Sequence, residues 1–124
     1  MDRYLLVLLG GAVGSLARYV TGTAVMSRFS GRFPLGTLIV NVSGCFLIGV
    51  LMTLLTEKPA PHPNWRLFLV VGFLGGFTTF SSFAYETFTA AREGRMWVGL
   101  VNVLASVALG YLAVWLGAIS AGRH

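Results

Sequence analysis

The sequence predicts an all-α integral membrane protein with four transmembrane helices. The chain has 124 residues, of which 56% are hydrophobic and only 10% are charged. A soluble domain of this size cannot bury so much apolar surface, and the mean hydropathy of +0.78 agrees with that conclusion. Four apolar stretches are each long enough to cross a bilayer, which takes about 20 residues per helix. We therefore expect a single membrane domain over residues 1–124 and no soluble domain.

The four predicted helices follow directly from these stretches. They run from Tyr4 to Met26, Leu35 to Thr56, Leu67 to Ala91 and Met96 to Ile119. The first stretch continues past Arg18 without a small-residue cleavage site, which predicts a membrane helix rather than a signal peptide. Short connections with proline, glycine and charged residues separate the helices, so ordinary loops suffice.

Basic residues flank the helices in equal numbers on the two sides of the membrane. One side holds Arg3, Lys58, Arg66 and Arg123, and the other holds Arg28, Arg32, Arg92 and Arg95. Because the side with more Lys and Arg normally faces the cytoplasm, this tie does not choose an orientation. Either a partner or translocation factor sets the topology, or both orientations insert and two copies pair as an antiparallel homodimer. The net charge of +5 is scattered, which favours lipid headgroups over nucleic acid.

The first helix carries a charge among small residues. Gly10, Gly14, Arg18 and Gly22 recur at steps of four, a spacing typical of close helix packing. An unpaired arginine at membrane depth costs about 3 kcal/mol, so Arg18 needs water or a partner. Two interpretations satisfy that cost: the side chain reaches the interface, or it lies in an anion-attracting vestibule.

Polar stripes lie on the second and fourth helices. Thr37 and Asn41 are one turn apart on the second helix, and Asn102 and Ser106 are one turn apart on the fourth. Each stripe predicts a face turned toward protein or water rather than lipid. Hydrogen bonds between helices and contact with a permeating ion are both compatible with the pattern.

The third helix is predicted to break near its middle. Paired glycines followed by Thr78, Thr79, Ser81 and Ser82 form a weak helix. Irregular backbone is tolerated in a membrane only where protein buries it or water reaches it, and freed carbonyls there are natural cation ligands. A kink packed against a neighbouring helix is the alternative.

Phenylalanines accompany these hydroxyls. Phe80 and Phe83 are three residues apart, and a phenyl ring has a positive edge that can face a small anion. Ser81 and Ser82 add hydroxyl donors. A core or lipid-facing role for the rings is the more common alternative.

Three segments together resemble the family of dual-topology fluoride channels called Fluc or CrcB. They are GGAVGSLARY, GTLIVNVSGCFLIG and the highly specific GFLGGFTTFSSF on the first, second and third helices, in the order and at the spacing of that family. The resemblance covers nearly the whole chain. It implies four helices per subunit, an antiparallel homodimer, and two pores that are each lined by both subunits.

The resemblance also implies roles for individual residues. The implied pore phenylalanines are Phe80 and Phe83, and the implied asparagine that contacts fluoride or orients its aromatic neighbours is Asn41. The implied polar track consists of Thr37, Ser81 and Ser106, and the implied vestibule residue is Arg18.

A structural sodium ion at the dimer centre is a further implication. Backbone carbonyls of the third-helix break would hold it, and the matching positions are Gly75 and Thr78. Two positions depart from the family pattern. Ser82 stands where threonine is frequent, and Asn102 stands where an aromatic hydroxyl is expected, which leaves the polar track on the fourth helix less certain.

The implied function is passive fluoride export that protects the cell, in a prokaryotic plasma or inner membrane. The expected partners are fluoride, a second copy of the chain and lipid, and we expect no enzymatic activity. The sequence has no P-loop, HExxH motif or Cys/His cluster.

Two rival functions are compatible with four short membrane helices. A proton-coupled exporter of drug cations needs an intramembrane carboxylate, for which Glu86 is the candidate. An accessory membrane subunit would use the glycines and polar stripes for assembly alone. It leaves unexplained why hydroxyls, rings and a weak helix gather on one segment.

Overall fold

The computed structural model describes residues 2–29, 31, 33–57 and 59–122, and in that part of the chain all regular structure is helical. Helix α1 is Arg3–Arg28, α2 is Leu35–Thr56, α4 is Phe80–Arg92 and α5 is Met96–Ala121. Helix α3, residues 63–77, is continuous through three segments, Pro63–Trp65, Arg66–Leu74 and Gly75–Phe77. The predicted fold class of four helices is confirmed. The basic residues Arg32, Lys58 and Arg123 of the charge comparison lie outside the described residues.

Four helical spans are long and apolar enough to cross a membrane. They are Arg3–Arg28, Leu35–Thr56, Pro63–Arg92 and Met96–Ala121, and the third consists of α3 and α4 together. The predicted boundaries differ from these by a few residues at most. Most of the difference lies before Leu67, where Pro63 begins a first turn and the His62 side chain accepts a hydrogen bond from the Asn64 amide.

Helix pairs approach closely where glycines face a neighbouring backbone. A Cβ atom on Gly14 of α1 would collide with the Phe73 carbonyl of α3, and one on Gly117 of α5 would collide with the Phe46 carbonyl of α2. Small residues are the usual means of such approach in membranes, because lipid supplies no hydrophobic force between helices. Gly76 also faces the α1 backbone. The close packing predicted for the first helix is confirmed at Gly10 and Gly14, whereas a Cβ atom on Gly22 would meet no described atom within 4 Å.

The middle of α3 is a π-helix over Arg66–Leu74. Its wider turns lie against the glycine-rich face of α1, where a Cβ atom on Gly72 would lie only 3.1 Å from the Gly10 Cα. The apolar pattern of the sequence does not distinguish π from α geometry, so this feature is not predicted. π-Helical turns are frequent beside functional sites.

The third span is interrupted at two residues. Thr78 and Thr79 are extended, with ψ angles of 157° and 125°. The helix resumes at Phe80, where the Thr79 hydroxyl caps α4 by accepting a hydrogen bond from the Ser82 amide at 3.3 Å. The predicted break therefore lies between α3 and α4, next to a small core of Val40, Leu74 and Phe77.

Candidate functional site

Asn41 of α2 holds the break. Its amide oxygen accepts a hydrogen bond from the Thr79 N–H at 2.8 Å, and its amide nitrogen donates to the Thr79 carbonyl at 2.9 Å. In an unbroken helix that N–H would donate to the Gly75 carbonyl instead. One side chain thus satisfies both polar groups of the residue at which the helix opens.

Two carbonyls at the break are released from their helical donors. The Thr79 N–H bonds Asn41 rather than the carbonyl of Gly75, and the Ser82 N–H bonds the Thr79 hydroxyl rather than the carbonyl of Thr78. Gly75 is also exposed on the surface of the chain. These two oxygens belong to Gly75 and Thr78, the residues that the family resemblance implies as sodium ligands.

Arg18 of α1 reaches the same segment from the other side. Its Nε donates a hydrogen bond to the Gly76 carbonyl at 3.1 Å, and the side chain is half-buried. The guanidinium therefore has a protein partner within the membrane span. This bond joins α1 to the last turn of α3.

Arg18 lines a groove of about 390 Å³ that we call the Arg18 groove. Its polar lining residues are Arg18, Tyr19, Thr23, Thr37, Thr79, Ser82 and Glu86. The Thr37 hydroxyl donates to Glu86 Oε2 at 2.8 Å across the groove. Among the described residues, the other carboxyl oxygen of Glu86 is buried and has no hydrogen-bond partner.

A second groove of about 460 Å³, the Phe80 groove, is also lined by Thr79. Its polar and aromatic lining residues are Asn41, Cys45, Thr78, Thr79, Phe80, Phe83 and Ser106. The rings of Phe80 and Phe83 are tilted at 51°, with centroids 5.6 Å apart, and Phe80 is 77% exposed. So exposed a ring has its edge free to meet another molecule, whether lipid, a second protein chain or an ion.

Ser106 connects the Phe80 groove to the buried side chain of Asn102, to which the sequence analysis gives no specific role. It donates to Asn102 Oδ1 at 3.5 Å, and Asn102 Nδ2 donates to the Thr87 hydroxyl at 3.0 Å. Thr87 in turn donates to the Phe83 carbonyl at 2.9 Å. Asn102 is 2% exposed. Its polarity within an otherwise apolar helix is the one sequence signal for this chain of bonds.

The predicted site residues are divided between the two grooves. The Phe80 groove holds Asn41, Gly75, Thr78, Phe80, Phe83 and Ser106, and the Arg18 groove holds Arg18 and Thr37. Ser81 is exposed and lines neither groove, although its hydroxyl lies 3.4 Å from that of Thr79. Within one chain, therefore, Thr37, Ser81 and Ser106 do not share one cavity.

Comparison with known proteins identifies the family. The model of the family described as "CrcB-like protein, Camphor Resistance (CrcB)" matches residues 5–118. A protein of Solibacter usitatus named "Fluoride-specific ion channel FluC" is 67% identical over 121 residues, covering 98% of this chain and 99% of that protein. Proteins of the same name from Acidobacterium capsulatum and Geobacter sulfurreducens are 49% and 45% identical; each match covers 98% of this chain, and 97% and 98% of those proteins. The chain belongs to the CrcB family.

Proposed function

We propose that this protein is a fluoride channel in the membrane of a prokaryotic cell, conducting through a pore that includes the Phe80 groove. It is a multi-pass membrane protein and not an enzyme. The observation that carries the proposal is the break at Thr78 and Thr79, where Asn41, two phenylalanine rings and a serine hydroxyl meet in one groove. The relatives named as fluoride-specific channels match almost end to end.

The chemistry of the groove suits a small, strongly hydrated anion. Such an ion enters a narrow path only where hydrogen-bond donors replace its water. Asn41 has two amide protons and uses one for Thr79, so the second is available to an ion. The positive edges of Phe80 and Phe83 add weaker attraction. None of the described side chains that line the groove is cationic, so these side chains do not hold the ion too tightly for it to leave.

The proposed channel is an antiparallel homodimer with two pores. The equal division of basic residues supports it, since neither orientation is favoured. The exposure of Phe80 supports it as well, because a second copy would cover a ring that one chain leaves 77% open. In this arrangement, the separate grooves of one chain are completed by the partner.

A sodium ion at the centre of that dimer fits the released carbonyls. Unwound helix carbonyls are recurrent Na⁺ ligands in membrane proteins. Gly75 and Thr78 each offer an oxygen whose usual helical donor bonds elsewhere. Two such oxygens from each subunit would hold the ion and stabilise the interface.

Fluoride efflux from liposomes that contain only the purified chain tests the channel function. We expect fast fluoride release, and much slower chloride release from matched liposomes. No ion flux would favour the accessory-subunit alternative. Drug-cation transport driven by a proton gradient, with no fluoride flux, would favour the exporter. That exporter would depend on Glu86, whose carboxylate bonds Thr37.

Charge at the C-terminus tests the antiparallel dimer. Three lysines added after Arg123 should bias insertion to one orientation and abolish fluoride efflux from cells. Co-expression with a copy biased in the opposite sense should restore it. Full activity from one strongly biased copy alone contradicts the antiparallel arrangement.

A further inference from the structure

A chain of hydrogen bonds runs from the Phe80 groove into the interface between α5 and α4. It begins at Ser106, passes through buried Asn102 and Thr87, and ends at the carbonyl of Phe83. The helices are close enough for these bonds because Gly99 of α5 faces the Thr87 backbone, where a Cβ would lie 3.2 Å from the Thr87 oxygen. Ser106 and Phe83, at the two ends of this series of hydrogen bonds, therefore both line the Phe80 groove.

The Phe83 carbonyl at the end of this series of hydrogen bonds indicates which group donates in each bond. A carbonyl only accepts, so the single hydroxyl proton of Thr87 points to Phe83. Thr87 can then only accept from Asn102, which places the amide nitrogen, not the oxygen, toward Thr87. The amide oxygen consequently faces Ser106, whose hydroxyl can donate to it across 3.5 Å.

We infer that Asn102 is a positioning residue that makes Ser106 a hydrogen-bond acceptor toward the Phe80 groove. The inference rests on the proposed pore, in which Ser106 is a lining residue. With its proton directed at Asn102, Ser106 presents lone pairs to the groove. Lone pairs bind the hydrogens of water and repel a bare fluoride ion. The ion therefore passes Ser106 with water between them, while Asn41 supplies a direct donor.

The length of the hydrogen bond from Ser106 to Asn102 determines how strongly Asn102 directs the Ser106 proton. At 3.5 Å it is long for a hydroxyl donor, so Asn102 biases the Ser106 proton without locking it. Release of that proton would give the groove one additional donor, and hydrogen bonds to a charged group are stronger than neutral ones. Fluoride should then be held more tightly.

Conductance in planar bilayers over a range of fluoride concentrations tests the inference. Asn102→Leu has a similar volume, keeps the bond from Thr87 to Phe83 and frees the Ser106 proton. We expect the half-saturating fluoride concentration to fall about fivefold, a shift of roughly 1 kcal/mol. In a Ser106→Ala background, Asn102→Leu should cause no further shift. A merely structural role of Asn102 predicts no such dependence on Ser106.

A second variant acts from outside the groove. Thr87→Val removes the acceptor that holds the Asn102 nitrogen, so the amide can turn and donate to Ser106. We expect a smaller shift in the same direction. Thr53→Val is the matched control, because the Thr53 hydroxyl bonds a carbonyl of its own helix, that of Gly49. This control should leave the half-saturating concentration unchanged.

Two results would overturn the inference. One is an unchanged half-saturating concentration in both Asn102→Leu and Thr87→Val; if Asn102→Leu does not fold, Thr87→Val decides alone. The other is an equal shift by Asn102→Leu with and without Ser106. Failure of the proposed pore is recognised separately, since Phe80→Ile would then conduct normally. Loss of conduction in Phe80→Ile with no shift in the Asn102 and Thr87 variants refutes the inference alone.

Discussion

The two grooves beside Thr79 use their polar groups differently. In the Arg18 groove, charged and hydroxyl side chains bond protein partners, as Thr37 does with Glu86 and Arg18 does with the Gly76 carbonyl. None of the described side chains that line the Phe80 groove is charged, and two phenylalanine rings accompany the Asn41 amide, which donates one of its two protons to Thr79. The first arrangement suits a hydrated approach to the membrane interior. The second suits contact with an ion that has lost part of its water.

The difference follows from the cost of charge in a low-dielectric environment. A fixed charge beside a narrow path would trap or exclude an anion, because Coulomb energy is large where water is scarce. Neutral donors and ring edges give several weak contacts instead. The comparison therefore predicts that changes in the Phe80 groove alter conduction, whereas changes in the Arg18 groove mainly alter stability.

Asn41→Asp should have the largest effect. The carboxylate loses the donor to the Thr79 carbonyl and puts a negative charge where an anion must pass. We expect a loss of fluoride efflux of about 100-fold or more, measured in liposomes after confirming the dimer by gel filtration. Asn64→Asp, in the first turn of α3 and lining neither groove, is the control. Near-normal flux in a folded Asn41→Asp dimer would exclude Asn41 from the pore.

The next largest effect is expected for Phe80→Ile and Phe83→Ile, each with roughly a tenfold or greater loss of fluoride efflux. Isoleucine keeps much of the apolar bulk but has no positive ring edge. Phe88→Ile on the same helix is the matched control, because Phe88 is 56% exposed and lines neither groove. Equal flux in all three variants would assign Phe80 and Phe83 to packing.

Gly75→Leu should weaken the dimer while sparing the fold of the single chain. In one chain a Cβ at Gly75 would meet nothing nearer than the Val70 oxygen at 4.0 Å. Because Gly75 is exposed on the single chain, we expect the larger side chain to act mainly on the partner or the sodium site. We expect a several-fold rise in the monomer fraction in detergent at low protein concentration, with helix content unchanged by circular dichroism. A dimer as stable as wild type would count against a central ion at this break.

Thr37→Val should have the smallest effect on conduction and a measurable effect on stability. Loss of the hydroxyl leaves the Glu86 carboxyl without its donor, a cost of about 1–3 kcal/mol. We expect a lower midpoint of thermal unfolding in detergent, with fluoride flux reduced less than in the Phe80 variants. Thr23→Val is the control in the same groove, because its hydroxyl bonds the Tyr19 carbonyl of its own helix. A loss of flux as large as that of Phe80→Ile would contradict the contrast between the grooves.

Much of the fold could be predicted because membranes impose a simple length rule. Apolar length placed the four spans, and paired glycines with hydroxyls placed the break. For the candidate site, the sequence indicated a set of residues but not which of them contact one another. Sequence spacing on one helix could not show that Asn41 bonds the backbone of Thr79, 38 positions away.

The remaining features depend on how helices meet. Thr87 gave no signal of its own, because its role arises only where Gly99 brings α5 against α4. Thr37 and Ser106 likewise line different grooves because of how the helices pack against one another. A single sequence specifies the faces of a helix but not the neighbours they meet.

The pairing of Asn41 with Thr79 has a consequence for how the chain is made. Ribosomes synthesise proteins from the amino terminus, so α2 is complete before the Thr79 peptide group exists. An extended peptide with unpaired N–H and C=O groups is costly in lipid, and Asn41 satisfies both. The second helix thus provides a docking point for the third during insertion. A variant that lacks the Asn41 amide should therefore accumulate to lower levels in cells, independently of any effect on ion flow.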